Sequence, residues 1–208
     1  MAGAQAVLFD LGGVLIDWDP RHLFRQVIPD PQRLDYFLQE VCGNRWNHAI
    51  DAGKPFLEAI RERQAELPEY AEAIGIWYER WEEMMTGDLP ETVAVLRDLK
   101  ARDIPLFALT NWYRETFPIA RARFGFLDWF RDIVVSGVEG MAKPDPAFFR
   151  LAARRCGLVP ARTVFVDDVQ ANVDSARAVG FDAILFTGAG PLCVELETRG
   201  LLDPRPGA

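Results

Sequence analysis

Cysteine is scarce in this 208-residue chain: there are three, Cys42, Cys156 and Cys193. They are odd in number, widely spaced and in no CxxC or CxxH arrangement, which suits reduced thiols in a cytosol rather than a disulfide framework. Histidine is scarcer, with two, and neither His22 nor His48 stands in a pattern for a catalytic triad or a zinc site. Positive charge is in deficit, since 23 lysines and arginines against 31 acidic residues leave a formal net charge of -8. Proteins that cover nucleic-acid phosphates or lie on anionic lipid need a basic face, so neither partner is expected. An anionic substrate must then be met by local cations or a metal. No uncharged apolar run reaches the roughly 18 residues that span a bilayer. The opening MAGAQAVLFD has no cationic start and no long apolar segment of the secretory kind. There is also no internal repeat, low-complexity tract or Ser-rich linker, and the closing DPRPGA reads as a frayed tail. These absences predict a soluble, cytoplasmic monomer or homodimer that acts on a small molecule.

What is present divides into two textures. With 50% hydrophobic and 12% aromatic residues the chain can bury a full core. In residues 1–17 and 88–208, short apolar runs alternate with amphipathic helical patterns. AVLF (6–9), PLFAL (105–109), DIVV (132–135), TVFV (163–166) and AILF (183–186) are nearly free of internal polar residues, as strands covered on both faces are. Between them, PETVAVLRDLKARD puts Val93, Leu96 and Leu99 on one face; DPAFFRLAARRCG has Asp145 as N-cap, Pro146 at the first helical position and Gly157 at the end; VQANVDSARAVG closes on Gly180. Strand alternating with helix predicts an α/β fold, a Rossmann-like doubly wound parallel sheet. Residues 18–87 form the other texture. No strand is evident from about 20 to 86, and helical stretches fall near 21–28, 31–41, 55–67 and 69–85. That interval is too long for a loop and is expected to fold as a helical subdomain inserted after the first strand, with Trp46, Trp77 and Trp81 in its core.

In an open parallel sheet the ligand crevice lies at the carboxyl ends of the strands. Four polar points follow apolar runs there: Asp10; Thr110 with Asn111; Lys143, in GVEGMAKPDP; and Asp167 with Asp168. Carboxylates can share a divalent cation, one of them can attack phosphorus, and the lysine and hydroxyl can neutralise phosphoryl oxygens.

In order and spacing the motifs FDLGGVL, LTNW, AKPDP and FVDD resemble those of the haloacid dehalogenase-like hydrolase superfamily, in the subgroup whose helical cap lies between the first and second motifs. Each is weak alone; the ordered set, covering essentially the whole chain, is specific. The resemblance implies that Asp10 is a nucleophile forming an aspartyl intermediate, that Thr110 and Asn111 bind phosphoryl oxygens, and that Lys143 steadies the intermediate's charge. It also implies Mg²⁺ held by Asp10, the Gly12 carbonyl, Asp168 as a direct ligand, and Asp167 as a direct ligand or one shell further out.

Gly12 and Gly13 let the chain turn sharply after Asp10 and bring N–H groups towards an oxyanion. Most phosphatases that this chain resembles carry at the position of Gly12 a second aspartate, which protonates the leaving alcohol and then activates water. Losing that group costs on the order of 10² to 10⁴ in rate, most for poor leaving groups. Asp17 and Asp19 are near in sequence, but their spacing does not put them at the crevice. The superfamily's 2-haloacid dehalogenases also lack the second aspartate and work without metal, yet typically carry serines and asparagine where this chain has VDD. The acidic pair therefore favours a Mg²⁺-dependent phosphatase acting on a small phosphorylated metabolite. Haloacid dehalogenation, or a catalytically silent ligand-binding protein, is the alternative.

Substrate contacts are expected from Trp18 and Arg21 at the hinge between core and insertion, from Trp112, and from the polar interruption GNRWNHAIDAG (43–53), where Trp46, Asn47 and His48 stand. Asn172 and Asp174 are expected to cap or face solvent rather than orient the metal site.

Overall fold

The computed structural model describes residues 4–204; residues 1–3 and the last four residues of the expected frayed tail, 205–208, lie outside the described residues. The first strand, β1 (Ala6–Phe9), runs through a turn into β2 (Ile16–Trp18). Five helices follow: α1 (Arg21–Val27), α2 (Pro31–Tyr36), α3 (Asn44–Asp51), α4 (Phe56–Glu66) and α5 (Ala71–Glu79). The chain returns through β3 (Met85–Asp88), and then alternates α6 (Pro90–Ala101), β4 (Leu106–Thr110), α7 (Phe117–Arg123), β5 (Asp132–Val135), α8 (Ser136–Glu139), α9 (Pro146–Cys156), β6 (Thr163–Asp167), α10 (Gln170–Val179), β7 (Asp182–Leu185) and α11 (Ala189–Thr198).

Strands pair in the order β5-β4-β1-β6-β7, all parallel, with Phe9 beside both Ala108 and Val166. Alternate residues of one strand go to opposite faces, so each strand feeds two cores. Ala6 and Leu8 join Phe107, Leu109, Phe165 and the inner faces of α9 and α10. Val7 and Phe9 join Ala108, Val164, Val166 and the faces of α6 and α11. Val93, Leu96 and Leu99 are buried as the spacing predicts. Asp145 caps α9 by accepting from the Ala147 N–H at 2.8 Å, and Gly157 and Gly180 close α9 and α10 with φ of +64° and +103°. Among the described residues no helix is long and apolar enough to cross a membrane.

Two expectations are corrected. Met85–Asp88 is a strand, paired antiparallel with Ile16–Trp18, so the helical insertion enters and leaves through a two-stranded ribbon. Each strand of it is only three or four residues long, and their pairing bridges some seventy positions of sequence, which no local pattern announces. The polar stretch 43–53 is not an interruption between helices either: Asn44–Asp51 is helix α3. The glycine before it is a packing requirement, since a Cβ on Gly43 would stand 1.8 Å from the Gln39 carbonyl oxygen.

The insertion builds its interior from rings. Phe24 stacks on Phe37 and Trp77 with centroids 4.7 and 5.3 Å away, and Trp46 meets Trp77 edge-on at 5.5 Å. Such pairs add about 0.5–1.5 kcal/mol each beyond simple burial.

Candidate active site

β1 lies at the centre of the sheet. The chain steps from it to β4 and β5 on one side and then returns to β6 on the other, so the crevice opens at the carboxyl end of β1. Asp10 is the first residue past that strand. It is 8% exposed; its Oδ1 accepts from the Leu11 N–H at 2.7 Å and faces the Lys143 Nζ at 2.9 Å. Lys143 is 1% exposed, and its ammonium also donates to Asp167 Oδ2 at 2.7 Å. Asn111 fixes the lysine's backbone: Nδ2 donates to the Lys143 carbonyl at 3.0 Å, and Oδ1 accepts from the Lys143 N–H at 2.8 Å.

Asp167 is fully buried and fully engaged. Beyond Lys143, it accepts from the Val169 N–H at 2.8 Å and from Asn172 Nδ2 at 2.9 and 3.1 Å. Asn172 is thus part of this cluster and not merely a cap or a solvated residue, whereas Asp174 does face outward, accepting from Gln170 and pairing with Arg177. Asp168, the next residue, is exposed at the mouth of the crevice. Oxygens of Asp10, Asp167 and Asp168 lie within 4.8 Å of one another.

Burial drives the Asp10 carboxyl up to about 7, against the pull of Lys143. Burial also works against the Lys143 ammonium, yet the carboxylates of Asp10 and Asp167 more than offset this and raise its pKa, so it remains a cation. Asp168 is raised by desolvation and by the neighbouring Asp167. Three carboxylates with one ammonium leave an excess of negative charge that a hard divalent cation would balance. Carboxylate oxygen is the donor such a cation prefers. Asp168 and the second oxygen of Asp10 suit that role best, because Asp167 already has protein donors.

Only one of the two glycines after Asp10 is demanded by geometry. Gly13 has φ +72°, and a Cβ there would lie 2.3 Å from Asp168 Oδ2. Gly12 has no such constraint: a Cβ would meet nothing within 4 Å, so the fold leaves room for a side chain at this position.

Above these strand ends lies a cavity of about 290 Å³. Asp10, Gly12, Gly13, Asn111, Lys143 and Asp168 line it on the sheet side, and Trp18 and Trp112 wall it. The register of the ribbon shifts between Asp17 and Trp18, the kind of bulge that re-aims a side chain. Thr110, the last residue of β4, does not line the cavity; among the described residues its hydroxyl and the indole N–H groups of Trp18, Trp81 and Trp112 are buried with no hydrogen-bond partner. Open donors around a carboxylate-lysine centre suit an oxyanion or a hydroxyl-bearing ligand.

Two expected contacts are elsewhere. Trp46 packs in the insertion's aromatic core and donates to the Ala59 carbonyl at 3.3 Å. Arg21 pairs on the surface with Asp35 at 3.0 Å. Of the other residues at 43–53, His48 is exposed, while Asn47 is on the cavity wall. Asp17 is occupied by Thr86 and His22, and Asp19 by the Arg21 N–H, so neither reaches the cavity.

The sequence reading missed Asp51, Trp81 and Tyr113 as wall residues. Asp51 ends α3 and is 8% exposed; it accepts from Asn47 Nδ2 at 3.3 Å, and Asn47 Oδ1 accepts from the Tyr113 hydroxyl. Burial raises its carboxyl to about 7, only partly countered by Lys143. A carboxylate in the last turn of a helix sits at the wrong end of the helix dipole, which is the one local oddity that marks it in the sequence.

The profile of the haloacid dehalogenase-like hydrolases matches residues 4–180. The chain is 29% identical over 196 residues to a sesquiterpene phosphatase of Aspergillus oryzae, an alignment covering 93% of this chain and 95% of the relative. A haloacid dehalogenase family enzyme of Bacteroides thetaiotaomicron, solved with magnesium and inorganic phosphate, superposes with a TM-score of 0.65 at 22% identity, covering 88% of this chain and 93% of that one. The L-2-haloacid dehalogenase of Xanthobacter autotrophicus superposes with a TM-score of 0.63 at 20% identity, over 94% of this chain and 83% of that one. Phosphate-binding and dehalogenating proteins thus share this fold, and the choice between them rests on the site. With its profile match, ordered strand-end residues and five-stranded parallel sheet, the chain belongs to the haloacid dehalogenase-like hydrolases.

Proposed function

We propose that this hydrolase is a Mg²⁺-dependent phosphatase that cleaves a small phosphorylated metabolite through an aspartyl-phosphate on Asp10. The observation that carries this reading is the Asp10 carboxylate, held 2.9 Å from Lys143 in a cluster with Asp167 and Asp168. A dehalogenase has no use for that density of carboxylate, since halide departs without a metal. Asp10 attacks phosphorus in line with the departing alcohol. Lys143 favours the Asp10 anion against its burial and holds it in place, then sits beside the phosphoryl group once it is transferred. The Thr110 hydroxyl would offer a donor for phosphoryl oxygens, and Asn111 would support the site by holding the Lys143 backbone. Asp168 and Asp10, with the Gly12 carbonyl, would hold Mg²⁺, and Asp167 would orient the site through Lys143 and Asn172. The cation, when bound, neutralises charge on the phosphoryl oxygens.

The organic half of the substrate is apolar in this reading. Trp18, Trp81, Trp112 and Val169 give the cavity aromatic and aliphatic walls, and the whole-length relative is named for a sesquiterpene substrate. Residues 18–87 would act as the cap, which closes over the intermediate and sets selectivity. The reading is tested by phosphate release from para-nitrophenyl phosphate, sugar phosphates and prenyl phosphates, with Mg²⁺ and with EDTA. Release that requires Mg²⁺ is expected, with the prenyl esters preferred. Silence across the panel, with chloride released from 2-chloropropionate in EDTA, would overturn it.

A further inference from the structure

We propose that Asp51, supplied by the helical insertion, is the general acid and base of this enzyme, taking the role that Gly12 cannot perform. The inference rests on the phosphatase reading above. Among the described residues, the cavity wall carries three carboxylates: Asp10, Asp168 and Asp51. The first two belong to the nucleophile and cation cluster, which leaves Asp51 for proton transfer. Its position suits the role. A phosphoryl group attacked by Asp10 from the sheet side expels its alcohol in the opposite direction, into the part of the cavity lined by the insertion. Asp51 and Asn47 are the polar groups that α3 presents there.

Its surroundings suit the role as well. The titratable groups facing Asp51 are Lys143, from the loop after α8, and Tyr113, from the turn after β4. Among the described residues no ion pair joins Asp51 to a cation, and its hydrogen-bond partner is the neutral amide of Asn47. A buried carboxyl so placed is held partly protonated near neutral pH, the condition a general acid needs. Tyr113 is the weaker candidate, because burial and the neighbouring Asp51 push its hydroxyl well above its usual range and its proton is committed to Asn47.

The steps balance as follows. An Asp10 oxygen bonds to phosphorus while the bond from phosphorus to the ester oxygen breaks, and the Asp51 proton moves to that oxygen to release the alcohol. Water then attacks phosphorus and gives its proton to the Asp51 carboxylate. The bond from phosphorus to Asp10 breaks, phosphate leaves, and Asp10 is an anion and Asp51 an acid again.

Rapid-quench kinetics of Asp51→Asn with Mg²⁺ test this on two esters, para-nitrophenyl phosphate and 2-phenylethyl phosphate. Steady-state turnover of both is expected to fall by about 10²- to 10³-fold, because the water step loses its base. Nitrophenolate needs no proton to leave, so it should still appear in a rapid burst of one equivalent per enzyme, whereas 2-phenylethanol should show no burst. Adding Gly12→Asp to the Asp51→Asn enzyme, into space that is open for it, should restore turnover of 2-phenylethyl phosphate at least tenfold. A merely structural role would slow the nitrophenolate burst as much as the alkyl reaction. That outcome, or wild-type turnover of 2-phenylethyl phosphate by Asp51→Asn, would overturn the assignment of Asp51 alone. A wild-type enzyme that releases no phosphate from either ester would overturn the phosphatase reading and this inference together.

Discussion

The two walls of the cavity are built on different principles. On the sheet side, charge is neutralised at short range: Lys143 lies within 2.9 Å of both Asp10 and Asp167, and Asn172 and the Val169 N–H complete the Asp167 shell. On the insertion side there is one buried carboxyl, Asp51, among neutral amide and aromatic groups. The contrast separates tasks. Burial raises both carboxyls to about 7, so what distinguishes the two proposed roles is contact: Asp10 touches the Lys143 ammonium, which favours its anion, whereas Asp51 is paired with a neutral amide.

The largest effect expected from breaking this contrast is on the sheet side. Asp10→Asn keeps the volume and the Leu11 N–H partner but removes the carboxylate proposed as nucleophile. Its kcat should fall on the order of 10⁴-fold or more, with melting temperature little changed. Turnover at the wild-type rate would sink the mechanism.

An effect on stability follows at Asp51. Its folded pKa of about 7 lies above the ordinary carboxylate value of 3.8, so the folded state binds the proton more tightly. The stability linked to this group is therefore fully present below pH 4 and is lost as pH rises towards 7 and beyond. Asp51→Asn removes that loss, so at pH 8 the variant should be more stable than wild type by up to about 4 kcal/mol, and at pH 4 nearly equal to it. Denaturant melts at the two pH values measure the difference, and a variant less stable at pH 8 than at pH 4 relative to wild type would contradict it. A stability gain paired with a rate loss is the usual signature of a group kept for function.

The smallest effect is expected on the insertion's outer surface. Arg21→Ala removes an exposed ion pair to Asp35, worth no more than about 0.5 kcal/mol, and should leave KM unchanged for every phosphate ester. A raised KM would return Arg21 to the substrate site.

The same contrast governs what was legible in the sequence. Asp10, Asn111 and Asp168 each directly follow the apolar run of a strand that is paired on both sides, and the parallel sheet brings those ends together; Lys143 lies further on, past α8 after the edge strand β5. Trp18 and Trp112 adjoin those ends and came with them. Asp51 had no such signal. Its place depends on how α3 packs over α8, where Gly53 comes so close to Gly140 that a Cβ would stand 3.1 Å from its Cα, a contact between segments nearly ninety residues apart. Polar residues between two glycines read as an interruption, yet Asn44–Asp51 folds as a helix whose apolar side, Trp46 and Ile50, packs inward. Trp46 therefore joins the aromatic core while Asn47 and Asp51, one turn apart, share the cavity. The ribbon strands were hidden for a related reason, being too short to carry a period of their own.

The most direct measurement is acid quenching of the wild-type enzyme during turnover of para-nitrophenyl phosphate with Mg²⁺, followed by mass spectrometry of its peptides. One phosphoryl group on the peptide that carries Asp10, chased off by unlabelled substrate and missing from Asp10→Asn, is the predicted result. Turnover with no phosphorylated peptide, or with the label on another residue, would contradict the account.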